Sequence, residues 1–302
     1  MAMNLKQFKY VLALAREGSF SAAADALSIR QPSLSQYIKK IEQEVGMELF
    51  DRTAGSVRLT DAGRAYIEIG RKMLDLEHQL EEQFSDIAAF RSGTVTVGIS
   101  AHRSVALMPG IAKAFRERYP GILLRIVEKK RGDILEAASH GEFDLCITTL
   151  PVDEKQFNSE TVMLEENVLA VPRGISFPAQ KAEGRKFPAI PVAALNGMDF
   201  AMLNDEHPMQ RELEQLCDEY ALSLRKTVEC TSLEALLEMA KAGIGAAYIP
   251  SCIARPDPGV TYCSIMEETG KREIVLAERR DQYQSQAVQD LKTIIRSTLE
   301  KF

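Results

Sequence analysis

The sequence predicts a small helical unit with a short hairpin, then one long helix, then two α/β lobes. Three observations carry this. Residues 19–46, SFSAAADALSIRQPSLSQYIKKIEQEVG, read as two short helices joined by a tight turn. Residues 61–90 keep a helical pattern with no proline inside. From residue 93 onward, strand-like and helix-like segments alternate, which is the texture of a parallel sheet covered by helices.

The first helix spans residues 4–17, with Leu5, Phe8, Leu12 and Ala15 on one side and Gly18 ending it. Ala23, Ala24 and Leu27 give the next helix a stripe small enough for a close helix crossing. Pro32 suits the first turn of the helix after that, where a missing N–H costs nothing. Leu34, Ile38, Ile41 and Val45 then recur at four, three and four residues, forming one buried stripe. The opposite face carries Gln31, Ser33, Ser35, Gln36, Lys39, Lys40 and Gln43. Such side chains suit the base edges of a major groove and its flanking phosphates. They also suit an ordinary solvated face.

Residues 49–59 decide between these readings. Leu49-Phe50-Asp51-Arg52 and Ala54-Gly55-Ser56-Val57-Arg58-Leu59 read as a hairpin wing with a basic residue on each arm. Thr60 is the expected N-cap of the long helix, with Asp61 in its positive first turn. Helix, turn, helix and basic wing together make a winged helix-turn-helix pattern.

The run LSIRQPSLSQYIKKIEQEVGMELFDRTAGSVRLTDAGR resembles the signature region of the LysR-type transcriptional regulators. There are two departures. Arg30 stands where the family has a Ser or Thr cap, and Ser33 replaces the usual Ala. In the function this resemblance implies, Gln31, Pro32, Ser33, Ser35 and Gln36 approach bases. Arg30, Lys39, Lys40, Arg52 and Arg58 reach phosphates, with Arg58 at the minor groove. The partner is double-stranded DNA at a pseudo-palindromic operator.

Charge agrees once it is divided. The chain of 302 residues has a net charge of −6, yet residues 1–72 hold 11 Lys+Arg against 8 Asp+Glu. A basic module attached to an acidic body fits a nucleic-acid binder, and so modest a surplus calls for more than one module. In residues 61–90, Tyr66, Ile69, Met73, Leu76, Leu80, Gln83, Ile87 and Phe90 recur as a heptad seam, with Gln83 as its polar member. A helix about 45 Å long would join two copies into a homodimer, and further into a homotetramer. The alternative is a helix lying on its own domain.

Arg91-Ser92-Gly93 reads as a hinge. Strands are expected at 94–99, 122–128 and 144–148, and helices at 103–118 and 133–140. A second set follows from about Met163, with strands at 167–171, 200–203, 225–229 and 245–249. Its helices fall at 208–220 and 232–242, and a proline-rich loop fills 172–197. A strand at 273–278 and a helix at 285–300 return to the first set. This resembles the two-lobed, periplasmic-binding-protein-like effector domain of the same family. The expected domains are 1–60, 61–92 and 93–302. Lobe I takes 93–162 and 265–302, and lobe II takes 163–264.

Ligands of open α/β sheets sit beyond the strand C-termini, often at helix N-termini. The resemblance carries Ser100, Thr148, Thr149 and Asn204 to the effector site. Position alone suggests His102, Arg103, His207 and Thr231, although Ser100 and Thr231 are equally explained as helix caps. Lys129-Lys130-Arg131 replaces residues that are small in the family. Pointing into the cleft, Arg131 would favour a carboxylate or other anion. The alternative is a solvated charge run.

Other classes fit poorly. Gly98-Ile99-Ser100-Ala101-His102 breaks the GxSxG elbow at its last position, there is no GxGxxG, and the four histidines lack ligand spacing. No catalytic residue, cofactor or metal is therefore expected. Five scattered cysteines suit buried thiols of a reducing cytoplasm, with a redox pair such as Cys217 and Cys230 as the alternative. No secretory signal or membrane span is read in the sequence, so the expected location is the cytoplasm and not a secreted solute binder.

Overall fold

The computed structural model describes residues 4–51, 57–87, 93–181, 184–267 and 271–300. Within 81–87, Phe84 is the one described side chain. No described helix is long and apolar enough to cross a membrane.

The N-terminal unit packs α1 (Leu5–Glu17), α2 (Phe20–Ala26) and α3 (Gln31–Val45) beside a two-stranded wing, β1 (Phe50–Asp51) and β2 (Arg58–Leu59). Asn4 and Gln7 form a capping box on α1, and Gly18 closes it with a left-handed φ of 61°. Phe8, Val11, Leu14, Ala23, Leu34, Ile38 and Ile41 share one buried cluster with Leu49 and Phe50 of the wing. As expected, Thr60 caps α4 (Asp61–Ile87), its hydroxyl accepting from Gly63 N at 3.0 Å.

The predicted seam of α4 splits. Tyr66 and Met73 pack into the N-terminal core, whereas Ile69, Leu76 and Leu80 are exposed beside Phe84, which the heptad reading passed over. The side chains of Gln83 and Ile87, and Phe90 altogether, lie outside the described residues, as do Arg91 and Ser92 of the expected hinge. The physical reason is that the first half of α4 forms a wall of the N-terminal unit. Gly63 lies against the carbonyl of Leu49 and Gly70 against the Phe8 ring, so closely that a Cβ would overlap either neighbour.

Lobe I is one five-stranded sheet, built from β3 (Gly93–Ile99), β4 (Ile122–Glu128), β5 (Leu145–Thr149), β6 (Phe157–Glu165) and β13 (Arg272–Arg279) in the order β4-β3-β5-β13-β6. Helices α5 (Ala101–Arg118), α6 (Arg131–Ser139) and α9 (Gln286–Leu299) cover it. Lobe II holds β7 (Asn167–Pro172), β8 (Ala189–Ile190), β9 (Asp199–Leu203), β10 (Arg225–Cys230), β11 (Ala247–Pro250) and β12 (Val260–Ile265), with α7 (Pro208–Glu219) and α8 (Leu233–Lys241). A bridge from Phe200 to Ala246 joins the β9–β10 pair to the β11-β7-β12-β8 sheet.

Three strands escape the sequence pattern. β6 is a polar edge strand, and it carries the chain to Glu165, past the boundary expected at 162. β8 and β12 pair with each other, so the 172–197 loop is tied into the sheet edge, where Arg185 also donates to the carbonyl of Ile265 at 2.6 Å. The sheets are mixed, not purely parallel. β13 runs antiparallel to both β5 and β6 because the chain crosses between lobes twice, at Glu165–Asn167 and after Ile265.

Candidate nucleic-acid interface and effector cleft

The outward face of α3 is open. Arg30, Gln31, Pro32, Ser33, Gln36, Lys39 and Lys40 are exposed, Ser35 is half-buried, and Arg58 is exposed on the wing. Arg52 lies outside the described residues. Arg30 occupies the N-cap position with extended backbone and no side-chain cap bond, as its lack of an acceptor requires. In the first turn of α3, Pro32 has no N–H to leave unpaired, and the Ser33 N–H donates to the Arg30 carbonyl at 3.0 Å. Glu42 holds the wing to α3 by accepting from Leu49 N at 3.0 Å and Phe50 N at 3.2 Å. Tyr37 stacks edge-on against Tyr10, with Lys6 over both rings at 5.7 and 5.5 Å. None of Glu42, Tyr37 or Lys6 stood out in the sequence. Glu42 and Tyr37 interrupt the polar pattern of α3, and the ring partners of Tyr37, Tyr10 and Lys6, lie on α1, outside the motif.

The cleft gathers residues at the two crossings between lobes. Ser100 is the N-cap of α5, and His207 the N-cap of α7, its Nδ1 accepting from Met209 N at 3.2 Å. That bond places the His207 ring proton on Nε2. His102 has a buried Nε2 without a partner among the described residues, and its pKa is lowered to about 2, first by burial and then by Arg103, Arg272 and His207. Burial also lowers His207, helped by Arg272, Lys130 and Arg211 and opposed by Glu212. Both imidazoles are therefore neutral at physiological pH.

Arg103 differs from its expected role as a free anion ligand. It is buried and donates to Glu165 at 2.5 Å, because a guanidinium taken out of water must be paired. The pair belongs to a network in which Arg272 donates to Asn167 Oδ1 at 2.5 Å and lies 3.5 Å from both Glu165 and Glu212. Arg131 is exposed at the head of α6, and its Nη2 reaches the carbonyls of Thr149 at 3.3 Å and Pro151 at 2.6 Å. Within the basic run, Lys130 is the residue that acts on His207, while Lys129 turns to Glu142 at 3.6 Å. Thr148 is buried in β5, Thr149 is half-buried at its end, and Asn204 is half-buried after β9. Ser232, not Thr231, caps α8 by accepting from Ala235 N at 3.2 Å, and Thr231 is left exposed. Arg272 is the cleft residue that sequence reasoning missed. It opens an ordinary strand, β13, with no motif around it, and its partners Glu165, Asn167 and Glu212 come from distant parts of the chain.

All five cysteines are free thiols, and four of them are buried. Burial pushes Cys146 up to about 12 and Cys263 up to about 11, and raises Cys252 and Cys217 as well. The four thiols so raised are protonated at physiological pH. Among the described residues, no three His, Cys, Asp or Glu side chains are grouped to hold a metal ion.

Residues 5–64 match the bacterial regulatory helix-turn-helix protein family, lysR type, and residues 88–300 match the LysR substrate binding domain. The chain is 31% identical to the uncharacterized HTH-type transcriptional regulator YcgK of Bacillus subtilis (strain 168), over 99% of this chain and 96% of that one. It is 27% identical to the DNA-binding transcriptional dual regulator OxyR of Escherichia coli (strain K12), over 92% and 90%. Among solved structures, CbnR, a LysR family transcriptional regulator, superposes with a TM-score of 0.66 at 19% identity, over 98% and 99% of the two chains. Full-length CbnR complexed with its target DNA superposes at 0.65 and 20%, over 98% and 100%. With both family segments in one chain, in the same order as in these relatives, the protein belongs to the LysR family of bacterial helix-turn-helix regulators.

Proposed function

We propose that this LysR-type transcriptional regulator reads a pseudo-palindromic operator in the cytoplasm as a homodimer joined through α4, assembling further to a tetramer. A small anionic effector occupies the cleft. In this reading residues 1–60 contact DNA, 61–92 link and dimerise, and 93–302 bind the effector. The lobes divide after Glu165, where β6 ends.

One observation carries the DNA reading: the polar face of α3 is open to solvent along its length while Leu34, Ile38 and Ile41 are buried behind it. Gln31, Pro32, Ser33, Ser35 and Gln36 are assigned to bases, and Arg30, Lys39, Lys40, Arg52 and Arg58 to phosphates. The exposed stripe Ile69, Leu76, Leu80 and Phe84 supports pairing through α4. In the cleft, the anion is assigned to Lys130 and Arg272, with Ser100, Thr149 and Asn204 around it. His102 and His207 serve as neutral hydrogen-bonding groups, and Arg103 is the buttress beneath them.

Selection from a random duplex library followed by mobility shift at several salt concentrations tests the first part. Gln36→Ala is expected to lose sequence preference, and equal losses on selected and random DNA overturn the assignment. Native mass spectrometry with a panel of carboxylates tests the rest. Leu80→Glu should lower the oligomeric state, and Arg272→Met should abolish carboxylate adducts.

A further inference from the structure

The linker helix touches more than its own N-terminal unit. Asp75 and His78 of α4 reach lobe I, on a helix face distinct from both the Gly63–Gly70 side and the exposed Leu76–Leu80 side. Asp75 pairs with Arg279 at the end of β13, and both side chains are close to nine-tenths buried. Gln79 donates to the same carboxylate oxygen that Arg279 meets, Asp75 Oδ2, at 2.9 Å. One helical turn on, His78 Nε2 lies 3.3 Å from Asp144 Oδ1. Asp144 is itself buried, accepting from Thr96 N at 2.6 Å and Gln282 Nε2 at 3.2 Å, so lobe I holds it rigidly. Gly141 completes the contact. A Cβ there would lie 2.5 Å from Asp75 Oδ1 and 3.0 Å from Arg279 Nη1, so the turn after α6 sits directly on the helix.

Each element at this contact has its other end at the cleft. β13 runs from Arg272, whose charge acts on both cleft imidazoles, to Arg279. β5 runs from the residue after Asp144 to Thr148 and Thr149. α6 starts at Arg131, which donates to Thr149 and Pro151, and ends just before Gly141. Among the described residues, the rest of the N-terminal unit faces lobe I across a cavity. A cavity of about 870 Å³ separates Lys9, Arg16 and Leu27 from Asp133, Glu136 and Glu142.

We propose that Asp75–Arg279, with His78–Asp144 beside it, is a latch that fixes the linker helix to lobe I and couples its position to the state of the cleft. Asp75 and Arg279 are thus positioning residues for the DNA-reading unit. The proposal rests on reading the cleft as the effector site, but its test needs no effector and no operator. A rigid element with one end in each place transmits a displacement in both directions, so coupling must be reciprocal.

The test is hydrogen exchange on the full chain. Asp75→Asn and Arg279→Met should each speed exchange of residues 72–80 at least tenfold. Each should also change exchange at 131–136 and 147–150 at least threefold, while residues 5–45 stay unchanged. Arg131→Met, at the far end of α6, should in turn alter 72–80. The swapped pair Asp75→Arg with Arg279→Asp should restore part of the protection. Gly141→Ala, which wedges a methyl group against Asp75, should reproduce the Asp75→Asn pattern. Should Arg279→Met fail to fold, Asp75→Asn and Gly141→Ala read the same contact. Unchanged exchange at 72–80 in Asp75→Asn overturns the latch. A change confined to 72–80, with the cleft segments silent, overturns the coupling and leaves a static brace. Failure of the cleft as an effector site would appear separately, as loss of carboxylate binding with these exchange patterns intact.

Discussion

The outer face of α3 and the interior of the cleft are both polar, but they are built in opposite ways. On α3 the polar side chains are exposed, and the fold behind them rests on Leu34, Ile38 and Ile41. In the cleft, Arg103, Glu165, Arg272 and Asn167 are held by one another, and Glu165 and Arg103 are almost wholly buried. A surface meant to meet phosphates and bases keeps its groups free and hydrated until the partner arrives. A pocket that must discriminate small molecules holds its groups in advance, and so spends stability on function. Substitutions on the first should change binding and leave stability alone, whereas those in the second should change both.

The largest effect is expected at Glu165. Glu165→Gln leaves the Arg103 charge buried opposite a neutral amide and should cost about 3–5 kcal/mol in urea unfolding. Adding Arg103→Met should recover part of that loss. A cost as small as that of an exposed α3 residue would erase the contrast between the two regions. Behind the reading face, Ile38→Ala should cost roughly 2–5 kcal/mol, because Ile38 is fully buried and a cavity would remain. This sharpens the comparison by showing that only the inner side of α3 is structural.

Acid should strike the cleft first. His102 is lowered from 6.5 to about 2, so the folded state binds fewer protons than the unfolded state between those values. Stability therefore rises with pH across that window and falls as pH drops below 6.5. Between pH 7 and pH 5 the loss attributable to His102 is about 2 kcal/mol. Unfolding curves for His102→Gln should show a flatter pH slope, and an identical slope would refute the buried neutral imidazole. The smallest stability changes belong to α3. Gln36→Ala and Lys40→Ala should each shift stability by less than ~0.5 kcal/mol, since both are exposed and Lys40 pairs with an exposed Glu44 at 3.9 Å. Gln36→Ala should cost about 1–3 kcal/mol of discrimination at one base pair. Lys40→Ala should weaken all DNA alike and lower the salt slope by about 1.

The same contrast explains what could be read in advance. The helix-turn-helix was legible because its information is local: Gly18, Pro32 and the 34-38-41 spacing each specify a neighbouring backbone or face. The alternation of strands and helices was legible for the same reason, although the polar edge strand β6 was not, since only part of it is covered. The expected seam of α4 divides between two surroundings. Ile69, Leu76 and Leu80 are exposed as a pairing stripe requires, but Tyr66 and Met73 belong to the N-terminal core. Periodicity says which residues share a face and not what that face meets. Ser100 and His207 were found at helix starts, as local signals allow, whereas Arg103 was found but given the wrong neighbours.

By itself the sequence determined the reading helix, the long linker and the alternating body, because helix caps, turn residues and apolar spacing act over a few residues. Only the tertiary structure decided that Arg103 is paired with Glu165, that the Arg272 charge acts on both cleft imidazoles, and that Asp75 of the linker meets Arg279, 204 residues further along the chain. Those contacts depend on where two chain crossings and a docked helix bring distant charges together, and a charge carries no periodic mark of the partner it will meet.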